Sequence, residues 1–254
     1  MHAERVLAVV DLGGPDVSGT ALSQYASRRL GRQTLLQRVL GRIHDAEQIS
    51  RSAVVGSNAP STLPPHEQRN LNFLATGDAG LAQRLLAAAD KHEADWVVYV
   101  PVNCPFVDPV LIDLLVSKAR RSADCDYVGY YSPSGGSRRS NQLGLAAEVC
   151  HVDALRRLRR LAESDELFDP DASLIERLQA APGEFHLQLV PLPEALDRED
   201  LRFVVADESD WQHADLLSEA VLDENTEWQP LATLVASHPQ ICRDMQNRNR
   251  VCPR

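Results

Sequence analysis

The residues best suited to chemistry fall in two stretches. The first is Pro101-Val102-Asn103-Cys104-Pro105-Phe106-Val107-Asp108. Asn103 offers an amide oxygen, which can ligate a cation but brings no charge, and Asp108 offers a carboxylate. Cys104 has the atom of a nucleophile, but no histidine partner stands out, so a buried packing cysteine is expected. The second stretch runs from Gly13 to Arg32. It is polar, rich in Gly and Ser, and ends in Arg28, Arg29 and Arg32. Backbone N–H groups of such a loop, with guanidinium groups beside them, can cradle phosphate. The competing reading of each stretch is an ordinary strand–helix connection or a plain surface loop. Neither a P-loop signature nor GxGxxG is present.

Both stretches follow apolar runs that read as buried parallel strands. Val6–Val10 is a continuous apolar run closed by Asp11-Leu12-Gly13-Gly14-Pro15. Trp96–Val100 is a second, and Pro109 then begins a helical pattern at Val110, Leu111, Leu114 and Leu115. Loops at the carboxyl ends of parallel strands line the ligand crevice of an open α/β sheet. The remaining pattern predicts helices over 34–43, 80–92, 153–162, 209–222 (Ser209 as N-cap) and 227–237. It predicts strands over 53–55, 71–74, 127–131, 145–150, 187–192 and 201–205. The alternation argues for a single α/β domain over 1–254, a three-layer sandwich with a mixed, mostly parallel sheet.

Composition narrows the function. The formal charge of −10 argues against broad nucleic-acid binding. The basic cluster Arg156, Arg157, Arg159 and Arg160 reads as the solvated face of a helix. Five cysteines without a CxxC pair suggest neither zinc nor a disulfide framework. No apolar run of about 18 residues is present, so no membrane span is expected. The N-terminus lacks a signal-peptide core, and a cytoplasmic location is expected.

Taken in order, several segments resemble the spore-coat polysaccharide cytidylyltransferase group, relatives of the CMP-sugar synthetases. They are AVVDL, LGRQTLLQRVLGRI, FLATGDAGLAQRLLAAADKHEADWVVYVPVNCPFVDPVLIDLL, GLAAEVCHVDAL, LRFVVADESDW and LATLVASHPQI. The resemblance implies an enzyme that joins a nucleoside triphosphate, CTP favoured, to a sugar or sugar acid with release of pyrophosphate, for a surface polysaccharide. It implies Arg29 and Arg32 as catalytic phosphate-gripping residues, and Asp11, Leu12, Gly13, Gly14 and Arg28 as nucleotide-binding ones. It places Glu148 beside the sugar, and Asn103 and Asp207 on a magnesium ion.

The sequence departs from that pattern at the metal. Asn103 stands where the group has an aspartate. An ungapped alignment puts Ala206 at the second ligand position, with Asp207 one place later. A one-residue slip in a strand turns a side chain to the other face. Two readings follow: a magnesium-dependent nucleotidyltransferase, or a degenerate member that binds nucleotide or sugar, or serves as a scaffold, without turnover. The oligomeric state is left open, a homodimer being one option.

Overall fold

The computed structural model describes residues 4–13, 22–60, 71–122, 124–135, 143–164, 172–221 and 227–251. β1 spans Val6–Asp11, and all six of its residues are buried. A strand so buried must be covered on both faces. Val6, Ala8 and Val10 enter one apolar layer, and Leu7 and Val9 the other.

In chain order β1 is followed by α1 (Leu22–Ala26), β2 (Arg29–Leu30), β3 (Gln33–Thr34), α2 (Leu35–His44), β4 (Arg51–Gly56), β5 (Phe73–Ala75) and α3 (Leu81–His92). Then come β6 (Trp96–Pro101), α4 (Pro109–Arg120), β7 (Tyr127–Tyr131), β8 (Glu148–His151), α5 (Val152–Ser164) and α6 (Leu174–Gln179). The chain continues with β9 (Leu187–Pro191), a 3₁₀ turn at Glu194–Leu196, α7 (Glu208–Ala220), α8 (Trp228–Ala236) and α9 (Pro239–Val251). Seven strands form one sheet in the order β5-β4-β1-β6-β8-β7-β9. β8 runs antiparallel to both neighbours, and every other pairing is parallel. Residues of α2, α4, α7, α8 and α9 share one apolar layer, and residues of α3, α5 and α6 share the other. The expected mixed α/β sandwich is therefore the observed one.

Local chemistry explains the helix starts. Thr34 caps α2 in a capping box: its Oγ1 accepts Gln37 N at 3.2 Å, and Gln37 Oε1 accepts Thr34 N at 2.7 Å. Asp108 caps α4 with Pro109 in its first turn.

Four expectations are corrected. Leu201–Val205 is buried but not a strand. Its amides go to isolated loop carbonyls, Phe203 N to Leu143 O at 2.9 Å and Val205 N to Asn103 O at 2.8 Å, rather than to a ladder. Asp207, not Ser209, caps α7, because its carboxylate reaches the free amides of Ser209 and Asp210 first. The segment after Ser237 is a helix, α9, anchored by buried Met245 and Asn249 despite a mostly polar sequence. Residues 14–21 of the long first loop lie outside the described residues, and the rest folds as α1 and the β2–β3 hairpin. Among the described residues, no helix is long and apolar enough to cross a membrane.

Candidate functional site

Five segments converge at the carboxyl edge of β1 and β6. Val102 N donates to Asp11 O at 3.0 Å, so the loop after β6 is tied to the end of β1. Asn103 O accepts from Val205, which brings the late segment to the same loop. Arg28 then ties the base of the hairpin to the start of α7: Nη1 and Nη2 donate to the Glu208 carboxylate at 2.5 and 2.8 Å. Its guanidinium also lies 4.0 Å from the centre of the Trp211 ring. The Glu208 hydrogen bond raises the Arg28 pKa and lowers that of Glu208.

The hairpin itself presents two exposed arginines. Gly31 sits at φ +64° between β2 and β3, the position where a two-residue turn needs a residue without a Cβ. A side chain there would also stand 3.2 Å from Ser218 Oγ on α7. Arg29 and Arg32 flank this turn and are exposed. Arg29 Nη1 donates to Arg32 O at 3.0 Å. Of the three arginines singled out from the sequence, Arg28 is thus held by the protein, while Arg29 and Arg32 face solvent.

Beneath this edge lies a buried polar cluster. Asp11 accepts two hydrogen bonds from Arg84 of α3, from Nε at 2.9 Å and Nη2 at 2.6 Å, and a third from Gly13 N at 3.1 Å. Gly13 takes φ +86° to place that N–H. Leu12 turns its side chain into the core. Gly14 lies outside the described residues. Glu148 is buried opposite Tyr99, and its Oε1 accepts from Tyr127 Oη at 2.8 Å. Burial pushes the Glu148 carboxyl up to about 7, although the Tyr127 hydrogen bond acts the other way. Burial also raises Tyr99 and Tyr127. Arg84 was not foreseen, although its place among Leu81, Leu85 and Leu86 on the inward face of a helix is the mark of a paired, buried arginine.

The loop after β6 is closed. Asn103 is only 9% exposed, and its Oδ1 lies 3.9 Å from Cys104 Sγ. Cys104 is buried, and burial lifts its thiol to about 12, so it packs as expected rather than reacts. Asp108 is wholly structural. Oδ1 caps α4 through Val110 N and Leu111 N, Oδ2 accepts Trp228 N at 3.0 Å, and Arg42 Nη2 stands 3.5 Å away.

The residues assigned to magnesium do not fit it. Asn103 carries no charge and is buried. Asp207 has both oxygens engaged: Oδ1 accepts Ser209 N at 2.9 Å and Asp210 N at 3.1 Å, and Oδ2 is paired with Arg248. Burial pushes the Asp207 pKa up, but the Arg248 and amide hydrogen bonds outweigh it and the carboxyl is lowered. Among the described residues no group of three or more His, Cys, Asp or Glu side chains could hold a metal. A hard cation needs several free oxygens, with charge among them.

The sheet order and the arginine-bearing hairpin after β1 are those of the nucleotide-diphospho-sugar transferase fold. More particularly, the chain belongs to the family of the MobA-like NTP transferase domain, which matches residues 24–182. Three solved structures show the same fold. A cytidylyltransferase from Leptospira borgpetersenii has a TM-score of 0.74 and 16% identity, over 94% of this chain and 95% of that one. A CMP:2-keto-3-deoxy-manno-octonic acid synthetase in complex with CTP gives 0.58 and 13%, over 87% and 100%. Molybdopterin-guanine dinucleotide biosynthesis protein A from Archaeoglobus fulgidus gives 0.56 and 14%, over 85% and 100%. No curated protein matches the sequence.

Proposed function

We propose that this chain transfers a cytidylyl group from CTP to a sugar or sugar acid, releasing pyrophosphate, for a surface polysaccharide. A substrate hydroxyl attacks the α-phosphorus, the bond to the bridging oxygen breaks, and pyrophosphate leaves as the hydroxyl proton is lost. The observation that carries the reading is the convergence of the β1 edge, the loop after β6 and the start of α7, with Arg29 and Arg32 exposed on the hairpin tied to that site. One of the three neighbours is a cytidylyltransferase by name and a second is a CMP:2-keto-3-deoxy-manno-octonic acid synthetase in complex with CTP, which favours cytidine over guanine. In this reading Arg29 and Arg32 grip the triphosphate, and the backbone at Gly13 lets the nucleotide approach. Glu148 supports the sugar side from beneath, and magnesium arrives on the phosphate oxygens rather than in a protein cage.

Asn103 and the engaged oxygens of Asp207 favour a second reading, in which the chain binds nucleotide without turnover. A panel of nucleoside triphosphates, read by thermal shift and pyrophosphate release, separates the two. A ligand at 100 times its dissociation constant adds about 2.7 kcal/mol to the folded state. Stabilisation by CTP with pyrophosphate release in the presence of a sugar acid supports the transferase. Stabilisation without release supports the binder, and no response to any nucleotide sinks both.

A further inference from the structure

The hairpin that bears Arg29 and Arg32 is held from two sides. Leu30, next to Arg29, is fully buried and pins β2 to the core. A pair of two-residue strands has little stiffness of its own, so one apolar anchor would leave it free to pivot. The second hold lies at its base. Arg28 N donates to Tyr25 O at 3.0 Å, and Arg28 O accepts from Leu35 N at 2.9 Å, which fixes that backbone between α1 and α2. From there the side chain crosses to α7. The Glu208 carboxylate takes both of its terminal nitrogens, and the Trp211 ring lies against the guanidinium. Trp211 is a firm platform. It is buried in the core and stacks with Tyr25, the ring centres 6.1 Å apart and the planes 17° from parallel.

The charges around Arg28 show what it is free to do. Asp215, also on α7, faces the same guanidinium as Glu208, so two carboxylates meet one positive charge. Arg28 has no charge to spare for a polyanion. It offsets carboxylates that would otherwise repel one. Among the described residues, no carboxylate pairs with Arg29 or Arg32. The two exposed arginines thus carry the net positive charge of the hairpin, and the third arginine decides how the hairpin stands.

We propose that Glu208 is a positioning residue: it touches no ligand, and by holding Arg28 against Trp211 it fixes the direction in which Arg29 and Arg32 present their guanidinium groups. That the ligand is CTP rests on the reading above, whereas the latch itself does not. Arg28 then serves the ligand through the hairpin rather than by contact. A bidentate carboxylate suits the part, because two parallel hydrogen bonds set an orientation that a single one leaves open. The benefit is preorganisation, since a grip already ordered in the free protein loses less freedom on binding.

The test is Glu208→Gln in the full-length protein, because the two possible roles of Arg28 give it opposite signs. An Arg28 that binds the nucleotide is set free by the substitution, and CTP should bind more tightly. An Arg28 that acts as a latch is lost, and CTP should bind less tightly. The Glu208 side chain is 61% exposed, so the variant keeps its fold. Two measurements are made: hydrogen exchange of residues 28–35 without ligand, and calorimetric titration with CTP and with cytidine. Glu208→Gln should speed exchange in the hairpin and weaken CTP by about three- to tenfold, the cost of ordering a side chain held beforehand in the wild type. Cytidine should bind as before. Arg28→Gln should match it, and the double variant should lose no more than either single one, since all three break the same contact. Tighter CTP binding in Glu208→Gln overturns the proposal, as do unchanged exchange, unchanged CTP affinity or equal losses for CTP and cytidine. A wild type that binds no nucleotide, with the hairpin still loosened in Glu208→Gln, would remove the nucleotide and leave the latch standing.

Discussion

The buried polar cluster and the arginine hairpin lie at the same edge of the sheet, yet their charges do opposite work. Asp11 and Arg84 are almost wholly buried and satisfy each other with two hydrogen bonds. Arg29 and Arg32 are exposed on a turn, and the fold asks little of them. A charge already desolvated and paired has nothing left to give a ligand, and removing its partner strands it. A hydrated charge on a fixed backbone costs little to hold and keeps its hydrogen-bonding capacity. The same side-chain chemistry serves folding in one place and recognition in the other.

The largest effect that would break this contrast is expected at Arg84. Arg84→Met leaves the Asp11 carboxylate buried without its counter-charge and should destabilise the protein by about 3–5 kcal/mol in urea unfolding. A loss within the range of a surface substitution would mean that Asp11 is hydrated and free for the nucleotide.

Next comes Glu148, with a dependence on pH. The folded protein raises this carboxyl from the ordinary 4.5 to about 7. It therefore holds a proton that the unfolded chain releases, and stability falls as pH rises through that window, then levels off. Glu148→Gln has no proton to lose and should gain on the order of 3 kcal/mol over wild type at high pH, with little gain in acid. Unfolding curves at both ends of the window measure the gap, and a gap independent of pH would place Glu148 in water.

Asp207 stands between the two regions, half in solvent. Asp207→Ala should cost about 1 kcal/mol through loss of the α7 cap, and Asp207→Asn much less. Equal losses in the two variants would assign the effect to the Arg248 pair instead of the cap.

The smallest stability change belongs to the hairpin. Arg29→Ala and Arg32→Ala should shift unfolding by no more than about 0.5 kcal/mol. The same variants should weaken nucleoside triphosphate by about 1.5–3 kcal/mol relative to the nucleoside. Parallel losses for both ligands would put these arginines at the base.

Much of the fold was legible because burial writes a pattern. Val6–Val10 and Trp96–Val100 are continuous apolar runs, and both are strands bounded within one residue of the reading. Thr34 and Asp108-Pro109 are cap chemistry that acts locally. Leu201–Val205 misled because an apolar run shows that a segment is buried, not where its amides go. α9 was invisible because few of its residues are apolar and its anchors, Asn249 and Arg248, act through distant partners. The site was read less well for the same reason. Arg28, Arg29 and Arg32 look alike in sequence, and only Glu208 and Trp211, brought from far along the chain, set Arg28 apart. Alternation along a strand made Asp207 look one residue out of place. The chain bends at Ala206–Asp207 instead, so a strand's two-faced rule does not apply there.

The docking of Leu201–Val205 onto two loops has a consequence for how the molecule assembles. Its amide partners, Leu143 and Asn103, are remote in sequence, and neither belongs to a strand that could guide pairing by zipping along a neighbour. Gly144 narrows the route further, since a Cβ there would lie 2.4 Å from the Phe203 backbone. Loops of that length close at an entropic cost with no local contacts to offset it, so the segment settles after the sheet has formed. Substitutions in it, or in the loop it docks on, should therefore speed unfolding and leave refolding nearly unchanged, with Gly144→Ala the sharpest case.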